Sequence, residues 1–236
     1  MIVFWRLLAA YYIGAILFYN RCFFAWRDKH PVPAYLLQGL VFVGLTSLLC
    51  APYLSMDWRL AEQWTFHGMT AVVVLSLLYV LINHLFVFRT HQTHGYTCVF
   101  LLHEIAILAA ILACSPLHIV YHTGNLMAEP ITVFLVGALV VTKMFSVFIY
   151  MVEQDLYGRD YPTLDESFVT MLMRLIFFLM VLLPGWRWLL WFGIWFWACL
   201  VARKNRLMDL SHFAFYFSIF GAAIIGFAVR FSWYWH

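Results

Sequence analysis

Apolar residues fill most of this chain in long runs, and the polar positions gather in the short segments between them. The runs are Ile2–Asn20, Ala34–Tyr53, Phe66–Phe88, Tyr96–Ser115, Met127–Val152, Phe168–Pro184, Trp186–Ala202 and Asp209–Trp233. A membrane span needs about 20 mostly apolar residues, so the pattern predicts an all-α, polytopic helix bundle of about eight transmembrane helices. Pro184-Gly185, between the sixth and seventh runs, is a strong turn signal and favours a tight hairpin. If the two runs were one kinked span, the count would be seven. Thr163-x-x-Glu166 reads as a capping box opening the sixth helix, and Pro31 and Pro33 lie just ahead of the second. No repeat, low-complexity tract or soluble segment interrupts the pattern, which predicts a single membrane domain over 1–236.

Composition supports the same class. The chain of 236 residues is 65% hydrophobic and 11% charged, with a mean hydropathy of +0.88, whereas soluble domains carry about 25% charged residues. Aromatic residues make up 20%, and clusters such as Trp233-Tyr234-Trp235 suit the lipid–water boundary. The net charge of +3 is spread over loops, which argues against nucleic acid as a partner. Cys22, Cys50, Cys98, Cys114 and Cys199 are scattered without a C-x-x-C motif and read as packing residues. The first run contains Arg6 and lacks a small-residue cleavage site, so it reads as a retained span and not as a signal peptide.

Basic residues set the expected orientation. The loops after helices one, three, five and seven hold Arg21, Arg27, Lys29, Arg89, Arg159, Arg203, Lys204 and Arg206, whereas the opposite loops hold Arg59 and Arg187. The positive-inside rule puts the basic loops in the cytoplasm and both termini on the non-cytoplasmic side.

Several ionisable residues interrupt the apolar runs. Each costs about 2.5–3.5 kcal/mol at bilayer depth, so such groups tend to have partners and roles. With a rise of 1.5 Å per residue, Glu104 sits ~12 Å and Lys143 ~14 Å from the cytoplasmic side, with Arg174 at ~9 Å. Helices four and five are expected to be antiparallel neighbours, which makes a Glu104–Lys143 pair feasible. His84 and His212 lie shallower on the same side. His103, next to Glu104, points about 100° away and shares only part of its environment. The cytoplasmic half thus collects His84, His103, Glu104, Lys143, Arg174 and His212. They form either a polar pocket open to the inner leaflet or ion pairs that hold helices together.

A second group, His67, His118, His122 and Glu129, belongs to the outer side. His118 and His122 stand four apart and can face one metal ion on a helical turn, with Glu129 as a third ligand. However, Thr123-Gly124-Asn125 ends that turn almost at once, and the plain reading is interfacial loop histidines. No metal is therefore assigned, and the sequence names no cofactor. His91 and His94 read as a solvated loop pair. The chain lacks a Gly-x-Ser-x-Gly nucleophile elbow, a Gly-rich phosphate loop and an aspartate-rich diphosphate motif.

The region around the fourth run resembles the TLC family of polytopic membrane proteins, which includes the ceramide synthases. The similar features are Phe88-Arg89-Thr90 ahead of a helix with a mid-helix histidine, Leu102-His103. A following helix begins Glu129-Pro130-Ile131, and a later one holds Phe177-Phe178 near Arg174. The likeness covers roughly residues 66–180. It implies a helix bundle around a lipid-accessible cavity, with acyl-lipid chemistry or lipid handling as the function. The chain departs from the catalytic members, which carry adjacent histidines, because here His103 is followed by Glu104.

Three functions fit these features. In a lipid-active enzyme or lipid-handling protein, membrane lipids are the partners and His103 is a general base beside Glu104. Lys143 or Arg174 would then bind an anionic head group. In a proton-coupled transporter or channel, Glu104 and Lys143 form a switchable pair, with His84 and His212 lining the inner mouth. In a non-catalytic subunit, the same groups lock onto membrane protein partners.

Overall fold

The computed structural model describes residues 2–18, 23, 26–27, 29–61, 64–90, 95–116, 130–158, 164–205 and 210–234. Its long helices are α1 (Ile2–Phe18), α2 (Pro31–Leu49), α3 (Gly68–Thr90), α4 (Tyr96–Cys114), α5 (Pro130–Tyr157), α6 (Leu164–Val181), α7 (Arg187–Lys204) and α8 (His212–Tyr234). Among the described residues, five helices are long and apolar enough to cross a membrane: α2, α3, α4, α5 and α8. The chain is accordingly an integral membrane protein. Helix α1 and the Phe168–Val181 part of α6 are apolar but shorter. Thr163 of the expected capping box lies outside the described residues.

Contacts divide the chain into two compact units, Met1–Thr132 and Val133–His236. In the first unit, α1 packs against α2 and α4, and α3 packs against the same two helices. The buried face of α3 carries Val72, Leu75, Ser76, Tyr79 and Asn83, the spacing of a single helical stripe. On α4 the stripe is Ile107, Ile111 and Cys114, while Leu102 and Ile105 point outward. Apolar residues cover both faces of these helices, as bilayer depth requires. The inward face is therefore marked by its polar and aromatic members.

Two local features depart from the sequence pattern. The segment between α2 and α3, expected as a plain loop, contains an antiparallel hairpin of β1 (Asp57–Ala61) and β2 (Trp64–His67). Trp58 anchors it, fully buried, with its indole N–H donating to the Tyr53 carbonyl at 2.9 Å. Aromatic and β-branched residues favour a half-buried pleated surface, and α3 begins at Gly68 instead of Phe66. His67 therefore ends a strand.

The second feature lies in α5, where Val140–Met144 form a π turn around Lys143. Thr142 Oγ1 donates to the Ala138 carbonyl at 2.7 Å and Ser146 Oγ donates to the Thr142 carbonyl at 2.7 Å. These bonds satisfy carbonyls where the regular ladder is disturbed.

In the second unit, α6 packs against the π turn, α7 and α8. Gly221 of α8 lies against the Phe145 ring so closely that a Cβ there would run into it. The α6–α7 turn passes through Gly185 at φ +68°, a conformation that suits a residue without Cβ.

Arginines on terminal helices close the ends of other helices in each unit. Arg6 donates to the Leu49 carbonyl at 2.6 Å and lies over the Tyr53 ring. Arg230 donates to the Val181 and Gly185 carbonyls at 3.1 and 2.9 Å and faces the Trp188 ring. Both supply donors to last-turn carbonyls and place positive charge at the negative end of a helix. That explains why Arg6 is tolerated in an apolar run.

Candidate functional site

The polar face inside the first unit centres on Glu104. Helix α4 continues its buried stripe of Ile107 and Ile111 back to this residue, three positions earlier. Tyr11 of α1 donates its hydroxyl to Glu104 Oε1 at 2.6 Å, a length that fits a charge-assisted O–H···O bond. His103 Nδ1 lies 3.4 Å from the same oxygen. The other ring nitrogen, Nε2, lies 3.3 Å from Asn83 Oδ1 of α3. Asn83 in turn donates from Nδ2 to the Tyr79 carbonyl at 2.8 Å.

Aromatic rings wall this chain of contacts. Tyr11 meets Tyr79 edge-on at 6.1 Å, and Phe42 stacks on Tyr79 at 4.7 Å. Phe86 meets His103 edge-on at 5.9 Å. Tyr11, Phe42, Tyr79 and Asn83 are buried, while His103 and Glu104 keep 19% and 13% of their side-chain surface exposed. Excluding solvent strengthens every electrostatic contact in such a group.

Each remaining described candidate has its own neighbours within its unit. His84 is exposed, with its ring edge to Tyr35 at 5.9 Å. It is the preceding residue, Asn83, that turns toward His103. Lys143 belongs to the second unit, half-buried on the π turn. Arg174 is in that unit as well, 1% exposed. It donates through Nη2 to Ser146 Oγ at 2.6 Å and through Nε to the Thr170 carbonyl at 3.1 Å, so it ties α6 to the segment after the π turn. His212 is exposed at one end of an apolar groove of about 470 Å3 that follows α8 past Phe213, Phe217 and Gly221. His118, His122 and Glu129 lie outside the described residues, as do His91 and His94. Among the described residues, no three His, Cys, Asp or Glu side chains converge as metal ligands would.

Sequence reasoning singled out His103 and Glu104 but not their neighbours Tyr11, Tyr79 and Asn83. Signals for them exist. Asn83 falls on the helical stripe of Leu75 and Tyr79, and an amide there must find a partner. Tyr11-Tyr12 stand mid-run, away from the run ends where membrane tyrosines usually gather. The pairing of His103 with Glu104 has a simple geometric reason. Side chains on adjacent helical residues diverge by 100°, yet both reach far enough for a ring nitrogen and a carboxylate to meet at the helix surface.

Chemically, the arrangement sets an imidazole between a carboxylate and an amide oxygen. One imidazole nitrogen faces a carboxylate, the other faces the Asn83 amide oxygen, and the carboxylate accepts a phenol hydroxyl. No protein-family model, curated protein or solved structure matches the chain.

Proposed function

We propose that the chain is a multi-pass membrane enzyme acting on lipids, with His103 and Glu104 as its acid–base pair. One observation carries the reading: His103 Nδ1 faces Glu104 Oε1 at 3.4 Å while Tyr11 holds that same oxygen at 2.6 Å. A carboxylate fixed in this way orients the imidazole and leaves Nε2 for the substrate. The resemblance to the TLC family supports a lipid as that substrate, since it implies acyl-lipid chemistry around a helix-bundle cavity. The departure at His103-Glu104 is accommodated because the carboxylate takes the supporting place of a second histidine.

In this reading all eight long helices cross the bilayer. Both termini lie on the non-cytoplasmic side, as the Lys and Arg distribution favours. Hydrophobic mismatch at the shorter helices α1 and α6 is met by local bilayer thinning, at a modest cost.

The test is lipid analysis of a deletion strain complemented with the wild-type gene, Glu104→Gln, His103→Ala or the exposed-site control Cys98→Ser. The expected result is that wild type and Cys98→Ser restore the missing lipid species, whereas Glu104→Gln and His103→Ala do not. A deletion strain with an unchanged lipid profile removes the lipid reading. A change in proton-coupled uptake in that strain, with no lipid change, would favour a transporter instead, since the Tyr11–Glu104–His103 contacts also form a chain of exchangeable protons.

A further inference from the structure

The exposed side of α8 is unlike a face that packs on another helix. The small residues Ala222, Ala223 and Gly226 are buried. The Phe145 ring of α5 closes over Gly221, and Gly226 meets Val181 and the Phe178 carbonyl of α6. Outward stand Tyr216, Phe220 and Ile224, which are 41%, 55% and 66% exposed. Helices that associate within a bilayer favour small residues at the contact, so that backbones approach closely. On α8 those residues are used inside the unit. What meets lipid is bulky and uneven.

This surface holds the groove of about 470 Å3, within the ~300–1,000 Å3 of ligand pockets. Ring contacts shape it. Phe213 stacks on Phe217 at 5.4 Å and Tyr216 on Phe220 at 6.4 Å, while Phe145 and Phe148 of α5 meet Phe217 at 5.1 and 5.0 Å. The lining runs from His212 to Ile224, ~18 Å along the helix. Half of a ~30 Å hydrocarbon core is ~15 Å, so the groove is one leaflet deep.

Its mouth is basic. Arg203, in the last turn of α7, lies over the Phe215 ring at 5.0 Å, which brings the end of α7 to the first turn of α8. Lys204 beside it is exposed, as is His212. The chain from 203 to 209 carries Arg203, Lys204 and Arg206 against Asp209. Helix α8 adds the positive end of its dipole there. We infer that the groove holds one acyl chain of an anionic glycerophospholipid, with its phosphate at the level of Arg203, Lys204 and His212. In the proposed orientation this is the cytoplasmic leaflet, the one rich in anionic lipid. The site goes beyond the acid–base reading and uses neither His103 nor Glu104.

Photo-cross-linking of the full-length protein in phosphatidylcholine nanodiscs tests this. The probe is a trace of phosphatidylglycerol with a diazirine near the end of one acyl chain, and labelled peptides are mapped by mass spectrometry. Label should concentrate on residues 213–224, above the exposed Leu189 and Trp197 of α7 and above the same chain carried on phosphatidylcholine. Lys204→Gln should lower phosphatidylglycerol labelling roughly fivefold, the worth of one basic residue near an anionic surface, and leave the phosphatidylcholine probe unchanged. Ile224→Trp fills the deep end from an exposed position and should move label off α8 while sparing α7. Even labelling of α7 and α8 in the wild-type protein means bulk lipid only and overturns the inference without any variant. Equal labelling by the two probes overturns the anionic head group. An α8 without label means that protein covers this face, which overturns it too. None of these readouts uses the lipid profile of a deletion strain, so failure here and failure of the enzyme reading are separately visible.

Discussion

Each unit of this protein sets an ionisable side chain among helices, and the two are handled in opposite ways. Glu104 in the first unit is surrounded by groups that can themselves gain or lose a proton, Tyr11 and His103. Arg174 in the second unit is held by the Ser146 hydroxyl and the Thr170 carbonyl, and a guanidinium does not deprotonate in proteins. On the proposed reading, the first arrangement passes a proton without moving a helix. The second fixes a charge and, through Ser146, ties α6 to a helix weakened by a π turn.

Removing His103 should have the largest effect and should separate the two clusters most clearly. On the proposed lipid reading, His103→Ala is expected to lower product formation by about 10²- to 10⁴-fold, the range of a lost acid–base group, in membranes assayed at equal protein level. Retained product formation would make the first cluster as structural as the second.

Arg174→Lys should then act on stability. A lysine keeps the charge but cannot span the hydroxyl and the carbonyl in one planar fork, so ~1.5–3 kcal/mol of hydrogen bonding to a charged group is at stake. Reversible unfolding in mixed micelles measures it, and an unaltered unfolding midpoint would show that Arg174 is no clamp.

Tyr11→Phe keeps the ring packing against Tyr79 and deletes the donor to Glu104. The expected loss is about 1–2 kcal/mol by the same unfolding assay, and on the proposed lipid reading product formation falls because the carboxylate loses its anchor. A stability loss with full product formation would place Tyr11 outside the working group. The smallest effect belongs to Arg230→Met, which removes a half-exposed cap from α6 and should cost ~0.3–1 kcal/mol. A loss above that range would mean that the cap also carries packing against Trp188.

Different parts of this picture are legible in the sequence to different degrees. The helical runs can be read because bilayer depth demands apolar residues over a fixed length, and Pro184-Gly185 announces its turn through chemistry that is local to those residues. Glu104 stands out because a carboxylate is rare in such a run. Its partners do not. Tyr11 lies 93 positions away in sequence, and nothing in the Leu-Ala-Ala-Tyr-Tyr stretch says which of the two buried tyrosines reaches Glu104. The residue pattern points to His84 ahead of Asn83 because a histidine looks more chemical than an amide, yet a one-residue step turns a side chain by 100°.

The sequence by itself determined that this is an integral membrane protein of long apolar helices with a few charges set inside them, since transfer into lipid depends on composition along each segment. Only the tertiary structure decided that Glu104 belongs with Tyr11, His103 and Asn83, that Arg6 and Arg230 close helix ends, and that Lys143 rides on a π turn. Those outcomes depend on the rotation of each helix about its axis and on which neighbours it meets. In a chain apolar on every face, hydrophobic periodicity does not specify either one.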